Sequence, residues 1–318
     1  MFAIGDINAW HWVAFLVGVL VFLGLDLGVF HTRAEVIKFK EALIWTGILA
    51  LLAMCFAGLL VPLQGTDDAL EFLTGYLTEL ALSMDNVSVI ALTFAYFRVP
   101  AEHQHRILFW GILGALLMRG LMIVAGAALV AKFHWILYGF GLFLIYTGIK
   151  MALSREEGVH PEKNIVLRLA GKIFPVVHEF HGSKFTIVQA GRRALTPLAL
   201  VLLTVETTDL IFALDSIPAI FGVTQKPFII FTSNVFAILG LRSLYFVLAG
   251  ALRYFRYLKI GLSLVLVFVG IKMLLEIWEI KLRIRVSLLA VLGIILGSMI
   301  FSVLAGRQQN EVTGESRP

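Results

Sequence analysis

The sequence predicts an all-α polytopic membrane protein with about nine transmembrane helices and an inverted three-helix repeat. Three observations support this prediction. Hydrophobic residues make up 59% of the 318 residues and charged residues only 15%, whereas about a quarter of the residues in a soluble protein are charged. Apolar runs long enough to cross a bilayer recur along the chain, and an acidic segment occurs twice inside them.

Nine apolar runs are candidate spans, because a helix needs about 20 residues to cross the hydrocarbon core. These runs are 10–30, 42–63, 70–97, 107–131, 134–152, 197–221, 228–251, 258–278 and 286–305. They divide the chain into two N-terminal transmembrane helices (1–69), a first three-helix repeat (70–152), a hydrophilic loop (153–195), a second three-helix repeat (196–279), and a C-terminal helix with its tail (280–318). We expect 153–195 to be a cytoplasmic loop and not a second globular domain.

The connectors predict the orientation, because cytoplasmic loops of membrane proteins are enriched in Lys and Arg. The connector with Asp67 and Asp68 has no basic residue and is expected outside. The N-terminus is then outside and the C-terminus cytoplasmic. The basic connector 281–285 departs from this pattern, since alternation places it outside. The loops expected in the cytoplasm lie near 33–40, 98–106, 153–195 and 253–259.

Two acidic segments lie inside predicted spans. The segment ELALSMDN, which begins at Glu79, pairs without a gap with DLIFALDS, which begins at Asp209. Glu206 lies just before the second copy. An ionised side chain near the bilayer centre costs at least about 2.5 to 3.5 kcal/mol on insertion scales. These acids therefore require a polar cavity or bound cations around them.

The repeat extends beyond the acidic segments. Arg119 in the fourth span corresponds to Arg242 in the seventh, and the tetrapeptide GIKM occurs at both 148–151 and 270–273. Three spans separate equivalent positions, so the two copies are expected to cross the membrane in opposite directions. Inverted repeats of this kind are typical of secondary transporters. Direct repeats in a scaffold are the alternative.

Oxygen-bearing side chains of the repeat form a candidate metal site. Helical spacing aligns Glu79, Ser83 and Asn86 on one helix face, and Glu206, Asp209 and Ser216 form a comparable row in the other copy. Asp85 and Asp215 lie further along each helix, and opposite crossing directions would place them towards opposite sides of the membrane. Oxygen ligands without a thiolate or an intramembrane His suit a hard divalent cation such as Mn²⁺, Mg²⁺ or Ca²⁺. Asp26 in the first span is either a ligand or a cavity wall. The candidate ligands are Asp26, Glu79, Asp85, Asn86, Glu206, Asp209, Asp215 and Ser216.

Two mid-span cations and one proline complete the candidate site. Arg119 and Arg242 are predicted partners of the acids, because a lone arginine in lipid is as costly as a lone aspartate. The six carboxylates still exceed the two arginines, so cations or protons must balance the rest. Pro218 is predicted to break its helix near Asp215, since proline removes the bond to the carbonyl of Leu214. A simple kink is the alternative.

Several functions are excluded or disfavoured. Cys55 is the only cysteine, so the chain cannot form an internal disulfide or a dithiol redox pair. The basic residues are spread over loops, which disfavours nucleic-acid binding. An intramembrane aspartyl hydrolase would need only two aspartates and would gain nothing from the two arginines and the other polar residues. We therefore expect no enzyme activity and no cofactor. His178 and His181 could share a metal, but a surface loop is the simpler interpretation.

Three segments together resemble the TerC family of bacterial membrane proteins, most closely its Alx-type members. They are ELALSMDN from Glu79, the stretch 206–219, and FTSNVFAILGLR from Phe231, which contains the candidate gating residue Asn234. The resemblance extends over nearly the whole chain. It implies a bacterial inner-membrane protein that exports manganese. It also implies an ion site formed by Glu79, Asp85, Asn86, Glu206, Asp209 and Asp215.

Two functional hypotheses follow. In the first, the protein is an alternating-access carrier that moves Mn²⁺ out of the cytoplasm in exchange for H⁺ or Na⁺. In the second, it is a membrane anchor or assembly partner for envelope or metal-stress proteins. The 153–195 loop would then form the docking surface, and the acids would be a structural ion-pair network.

Overall fold

The computed structural model is helical almost throughout, and it describes residues 9–25, 39–153, 164–177, 179–189, 191–249 and 258–313. A short hairpin and one 3-10 turn, Glu276–Trp278, are the other regular elements in these ranges. The elements in chain order are α1 (Ala9–Leu25), α2 (Phe39–Gln64), α3 (Thr66–Tyr96), α4 (Ala101–Lys132), α5 (Ile136–Leu153), α6 (Ile165–Ile173), β1 (Thr186–Gln189), β2 (Arg192–Leu195), α7 (Pro197–Val223), α8 (Pro227–Ala249), α9 (Leu258–Leu275) and α10 (Ile284–Thr313).

Eight helices in the described ranges, α2 to α5 and α7 to α10, are long and apolar enough to cross a membrane. The prediction of an all-α polytopic membrane protein is therefore confirmed. The remaining predicted span, 10–30, corresponds to α1, an apolar helix of 17 residues within the described part of the chain. Helices α2 and α10 expose many large apolar side chains, as expected of helices that face lipid.

The equivalent helices α5 and α9 pack tightly and run antiparallel. Gly148 lies against the carbonyl of Ser263, and Gly270 lies against the carbonyl of Gly141; a Cβ added at either glycine would fall 2.8 or 2.6 Å from that oxygen. Residue numbers rise along one helix as they fall along the other, which fixes the antiparallel direction. In the sequence alignment of the two repeats, Gly148 corresponds to Gly270 and Gly141 corresponds to Ser263. Each of the two contacts is therefore the repeat equivalent of the other.

Helices α3 and α7, which carry the acidic segments, are also antiparallel. Gly75 near the start of α3 packs against Ile220 near the end of α7. Further along α3, Asn86 hydrogen-bonds to Asp209, which precedes Ile220 in α7. The two acidic segments therefore meet where these helices cross.

The third equivalent pair, α4 and α8, has the same relation. Gly120 of α4 lies next to Phe231 of α8, and His105, earlier in α4, accepts a hydrogen bond from Arg242, later in α8. All three equivalent pairs thus run in opposite directions. An inverted repeat requires this relation, and the placement of the repeats across a membrane stays a prediction.

The predicted helix break at Pro218 is wrong. Helix α7 continues through Pro218 and ends five residues later at Val223. Every residue from Ser216 to Val223 is buried, so packing holds the last turn and a half in helical geometry. That burial offsets the one backbone hydrogen bond that proline cannot donate.

The described part of the 153–195 segment contains regular structure that the sequence does not suggest. Asn164 caps α6 through hydrogen bonds to the amides of Val166 and Leu167. Strands β1 and β2 then pair antiparallel, with Thr186 opposite Leu195. The prediction of a plain loop rests on the hydrophilic composition of the whole segment, which does not reveal elements as short as these.

Candidate functional site

Arg119 projects from the middle of α4 into the place where the acidic segments of α3 and α7 meet. Its side chain is 1% exposed. It makes a two-point contact with Asp209: Nη2 lies 2.9 Å from Oδ1, and Nε lies 3.3 Å from Oδ2. It also forms an ion pair with Glu79 of α3. Bidentate arginine–carboxylate contacts fix geometry as well as charge, so this group locks α3, α4 and α7 together.

Neutral polar side chains surround the same guanidinium. Arg119 Nη1 donates to Ser216 Oγ at 3.3 Å and to Asn234 Oδ1 at 3.4 Å. Asn86 Nδ2 donates to Asp209 Oδ1 at 3.3 Å. All these side chains are buried. Asn234 brings α8 into the cluster, so both repeats contribute to one polar centre.

The charges of this cluster do not balance. Arg119 carries one positive charge and faces two carboxylates, those of Glu79 and Asp209. If both carboxylates ionise, one negative charge is left in a buried site. Burial of an uncompensated charge is costly, so a proton or a cation is needed to neutralise it.

A small cavity adjoins the charge cluster. It is formed by α3, α5, α7 and α9, and both Asp85 and Asp215 border it. The two aspartates therefore share one cavity, although the sequence assigned them to opposite sides. Asn86 and Ser216 line the cavity and also belong to the Arg119 cluster. The full lining is Leu82, Asp85, Asn86, Met151, Phe212, Asp215, Ser216 and Leu262.

Helix α5 contributes side chains that the sequence did not assign to the site. Thr147 and the ammonium group of Lys150 are close enough to Asp215 to act on its charge. Met151 lines the cavity. Lys150 and Met151 belong to the repeated GIKM tetrapeptide, and this repetition is the sequence feature that could have indicated their place in the site. By itself the tetrapeptide indicates only the repeat.

Several buried oxygens near the crossing of α3 and α7 have no hydrogen-bond partner in the described part of the chain. They are Ser83 Oγ, Asn86 Oδ1 and Glu206 Oε2. The Glu206 carboxylate is pressed against Gly114 of α4, where it fills the space of a side chain. Buried polar atoms are nearly always satisfied, so these oxygens point to a ligand, an ion or water.

The candidate ligands within the described residues fall into three groups. Asp26 lies outside the described residues. Across the described ranges no three His, Cys, Asp or Glu side chains converge as a metal site, so a metal here would also need amide, hydroxyl or carbonyl oxygens. Glu79, Asn86, Asp209 and Ser216 are in the Arg119 cluster. Asp85 and Asp215 border the cavity beside it. Glu206 packs against Gly114 of α4.

Two other candidates lie away from this centre. Arg242 Nη1 donates to His105 Nε2 at 3.1 Å, nearer the end of α8. His178 is outside the described residues, and the exposed His181 contacts the carbonyl of Glu179 through Nδ1. The described residues thus give no support to a histidine metal site in this segment.

A second ionic cluster joins the start of α3 to the turn between α7 and α8. Lys226 Nζ lies 2.5 Å from Asp68 and 3.4 Å from Glu71, and Thr224 Oγ1 donates to Glu71 at 2.6 Å. Burial alone would lower the pKa of Lys226. The hydrogen bond to Asp68 and the charges of Glu71 and Asp68 outweigh burial and raise that pKa. The cluster ties the two repeats together at one end of the bundle.

Comparisons with known proteins give one family. The model described as "Integral membrane protein TerC family" matches residues 64–311. The chain is 50% identical over 296 residues to "Uncharacterized membrane protein STKORF319" of Myxococcus xanthus, covering 93% of this chain and 92% of that one. It is 43% identical over 314 residues to "Putative membrane-bound redox modulator Alx" of Escherichia coli strain K12, covering 95% and 97%. No solved structure matches significantly.

Proposed function

The chain belongs to the TerC family of integral membrane proteins, and we propose that it is a secondary transporter that exports divalent metal ions, with Mn²⁺ as the preferred substrate. The observation that carries this proposal is the shared cavity of Asp85 and Asp215. Two carboxylates from two antiparallel helices face one small space inside a bundle of apolar helices. Such a pair is costly in a membrane protein unless it binds cations.

The donor set of the cavity fits a hard or borderline divalent cation. Asp85 and Asp215 supply carboxylates, and Asn86 and Ser216 supply neutral oxygens. Oxygen sites of this kind suit Mn²⁺, Mg²⁺ and Ca²⁺. The thioether of Met151 adds a softer donor, which favours Mn²⁺ over Mg²⁺. The ion is the transported substrate, and no resident cofactor is needed.

Exchange for H⁺ or Na⁺ follows from the charge balance. When a divalent ion leaves, Asp85 and Asp215 lose their counter-charge, and Arg119 already faces two other acids. Protons or Na⁺ entering from the opposite side would neutralise them. Asn86 and Ser216 contact both the cavity and the Arg119 cluster, so ion occupancy could change the packing of α3 and α7.

We further propose a bacterial inner-membrane location with the N-terminus outside and the C-terminus in the cytoplasm. The antiparallel pairs support an inverted repeat, and the ion pair of Lys226 with Asp68 puts those two connectors at one end of the bundle. At the other end, Arg106 donates to Ser183 of the long middle segment.

Single-cysteine labelling in a Cys55→Ala background tests this orientation. A membrane-impermeant maleimide added to whole cells should label Asp67→Cys. It should label Ser183→Cys only after the membrane is opened. Labelling of both positions from the same side would contradict the orientation and the repeat model together.

The family relatives named as redox modulators raise a second possibility. A thiol–disulfide mechanism within the chain requires two cysteines, and this sequence has only Cys55. The site described here therefore favours ion transport over dithiol chemistry.

Divalent-ion uptake into proteoliposomes tests the proposed function and its selectivity. We expect Mn²⁺ to be carried in preference to Mg²⁺ and Ca²⁺, and excess Mn²⁺ to compete with each of the other ions. If no divalent ion accumulated above the level of protein-free liposomes, the transport proposal would fail and the membrane-anchor hypothesis would gain.

A further inference from the structure

A second, larger cavity lies between α1, α2 and α8. Its volume is about 380 Å³, which is within the usual range of small-molecule pockets. The residues that line it are mostly Phe, Leu, Val, Ala and Gly. None of them lines the Asp85–Asp215 cavity. This space is therefore separate from the proposed ion path.

One end of this cavity is polar. His11 in the first turn of α1 and Gln64 at the end of α2 both line it. His11 Nδ1 and Gln64 Oε1 are buried, and neither atom has a hydrogen-bond partner within the described residues. A buried acceptor without a partner destabilises the folded protein. Two such atoms at one cavity point to a ligand that supplies hydrogen-bond donors.

The ligand should have an uncharged head. Among the described residues, no Asp, Glu, Lys or Arg lines the cavity. A phosphate or carboxylate would find no fixed cation there, and desolvation of a charged group in an apolar site is costly. A phospholipid head group is therefore a poor fit, whereas hydroxyl groups can donate to both orphaned atoms.

Aromatic rings favour a flat head next to a long apolar body. Phe15, Phe56, Phe228 and Phe236 line the cavity, and their ring centroids lie 5.1 to 6.5 Å apart in tilted and edge-on pairs. The cavity then continues along α1 to Phe22. Eleven residues of helix span about 16 Å at ~1.5 Å per residue, which leaves room for a lipid-like tail.

We propose that this cavity binds a lipid-soluble quinol. The ring lies among the phenylalanines, one hydroxyl donates to Gln64 Oε1, and the other donates to His11 Nδ1 when that histidine is protonated on Nε2. The isoprenoid tail follows α1 towards Phe22. The site holds the quinol as a bound ligand, so this proposal stands apart from ion transport.

Calorimetric titration of decylubiquinol into the purified protein in phosphatidylcholine nanodiscs, under reducing and anaerobic conditions, tests this site. Gly18 lines the cavity, and a Cβ added there meets no atom within 4 Å; Gly18→Leu should therefore fill the cavity and weaken binding at least tenfold. Gln64→Leu removes one acceptor and should weaken binding about three- to tenfold. Gly24→Leu is the matched control, because Gly24 is on the same helix in open space outside the cavity.

The proposal is overturned if Gly18→Leu binds decylubiquinol as tightly as the wild type, or if Gln64→Leu has no effect. It is also overturned if decanol, which has a hydroxyl but no ring, binds equally well. A phospholipid that stays bound by native mass spectrometry and is not displaced by the quinol would identify lipid as the occupant. Melting temperatures of all three variants show whether weak binding reflects a filled cavity or lost folding.

Discussion

Replacing Arg119 with Met is expected to destabilise the protein by about 3 to 5 kcal/mol, because it leaves Glu79 and Asp209 as unpaired buried acids. For a chain of this size we expect the melting temperature to fall by on the order of 10 °C. Transport should also be lost, since Arg119 orients Asp209 and Ser216 beside the ion cavity. Thermal unfolding followed by light scattering or tryptophan fluorescence in detergent measures the first effect.

Two further variants separate the charge from the bulk of the side chain. Lys132→Met removes a cation from the exposed end of the same helix and should leave the melting temperature unchanged. Adding Glu79→Gln and Asp209→Asn to Arg119→Met removes the stranded carboxylates and should recover most of the lost stability. A triple variant as unstable as Arg119→Met would show that packing, and not ion pairing, makes Arg119 essential.

Replacing Asp215 with Asn is expected to abolish export while the protein stays folded and inserted. Asn keeps the size of Asp and a side-chain oxygen that can accept a hydrogen bond. A neutral amide offsets the dehydration of a divalent cation far less well than a carboxylate does. We expect at least a tenfold loss of export rate, measured as Mn²⁺ accumulation in cells that express equal membrane levels of each variant.

Asp67→Asn is the matched control for this experiment. It makes the same chemical change at an exposed aspartate near the start of α3 and should export normally. The structural-network hypothesis expects the opposite of our prediction for Asp215→Asn: a lower melting temperature and no specific effect on the metal. Normal export by a well-folded Asp215→Asn protein would remove this residue from the site.

The sequence predicted the polar centre because its signal is strong in an apolar background. A carboxylate such as Glu79 or Asp209 inside a hydrophobic run is conspicuous, and the charge argument links it to a mid-span arginine. The same argument could not choose between partners. Only the fold puts Arg119 against these acids and Arg242 against His105.

Other features depend on packing that composition does not encode. Pro218 was expected to break α7, but burial of the following residues maintains the helix. The effect of Lys150 on Asp215 also depends on packing, because α5 must lie against α7 for the ammonium group to act on that carboxylate. One helix considered alone shows neither effect, since neighbouring helices decide which local preference prevails.

The quinol cavity could not be predicted from the sequence, because it also depends on how helices pack. His11 and Gln64 lie more than fifty residues apart, and each is an ordinary polar residue near a helix end. Phe15 of α1 contacts Phe56 of α2, and Phe22 lies beside Trp45, so the two helices are antiparallel and place both polar residues at one end of an apolar space. No local pattern reports that two distant polar groups lack partners.

Uptake of Mn²⁺ into inside-out membrane vesicles tests the central claim most directly. With a proton or Na⁺ gradient imposed, vesicles that contain the wild-type protein should accumulate Mn²⁺ inside. Vesicles with Asp215→Asn should match vesicles without the protein, and those with Asp67→Asn should match the wild type. Wild-type vesicles that accumulate no more Mn²⁺ than protein-free vesicles under either gradient would contradict the account.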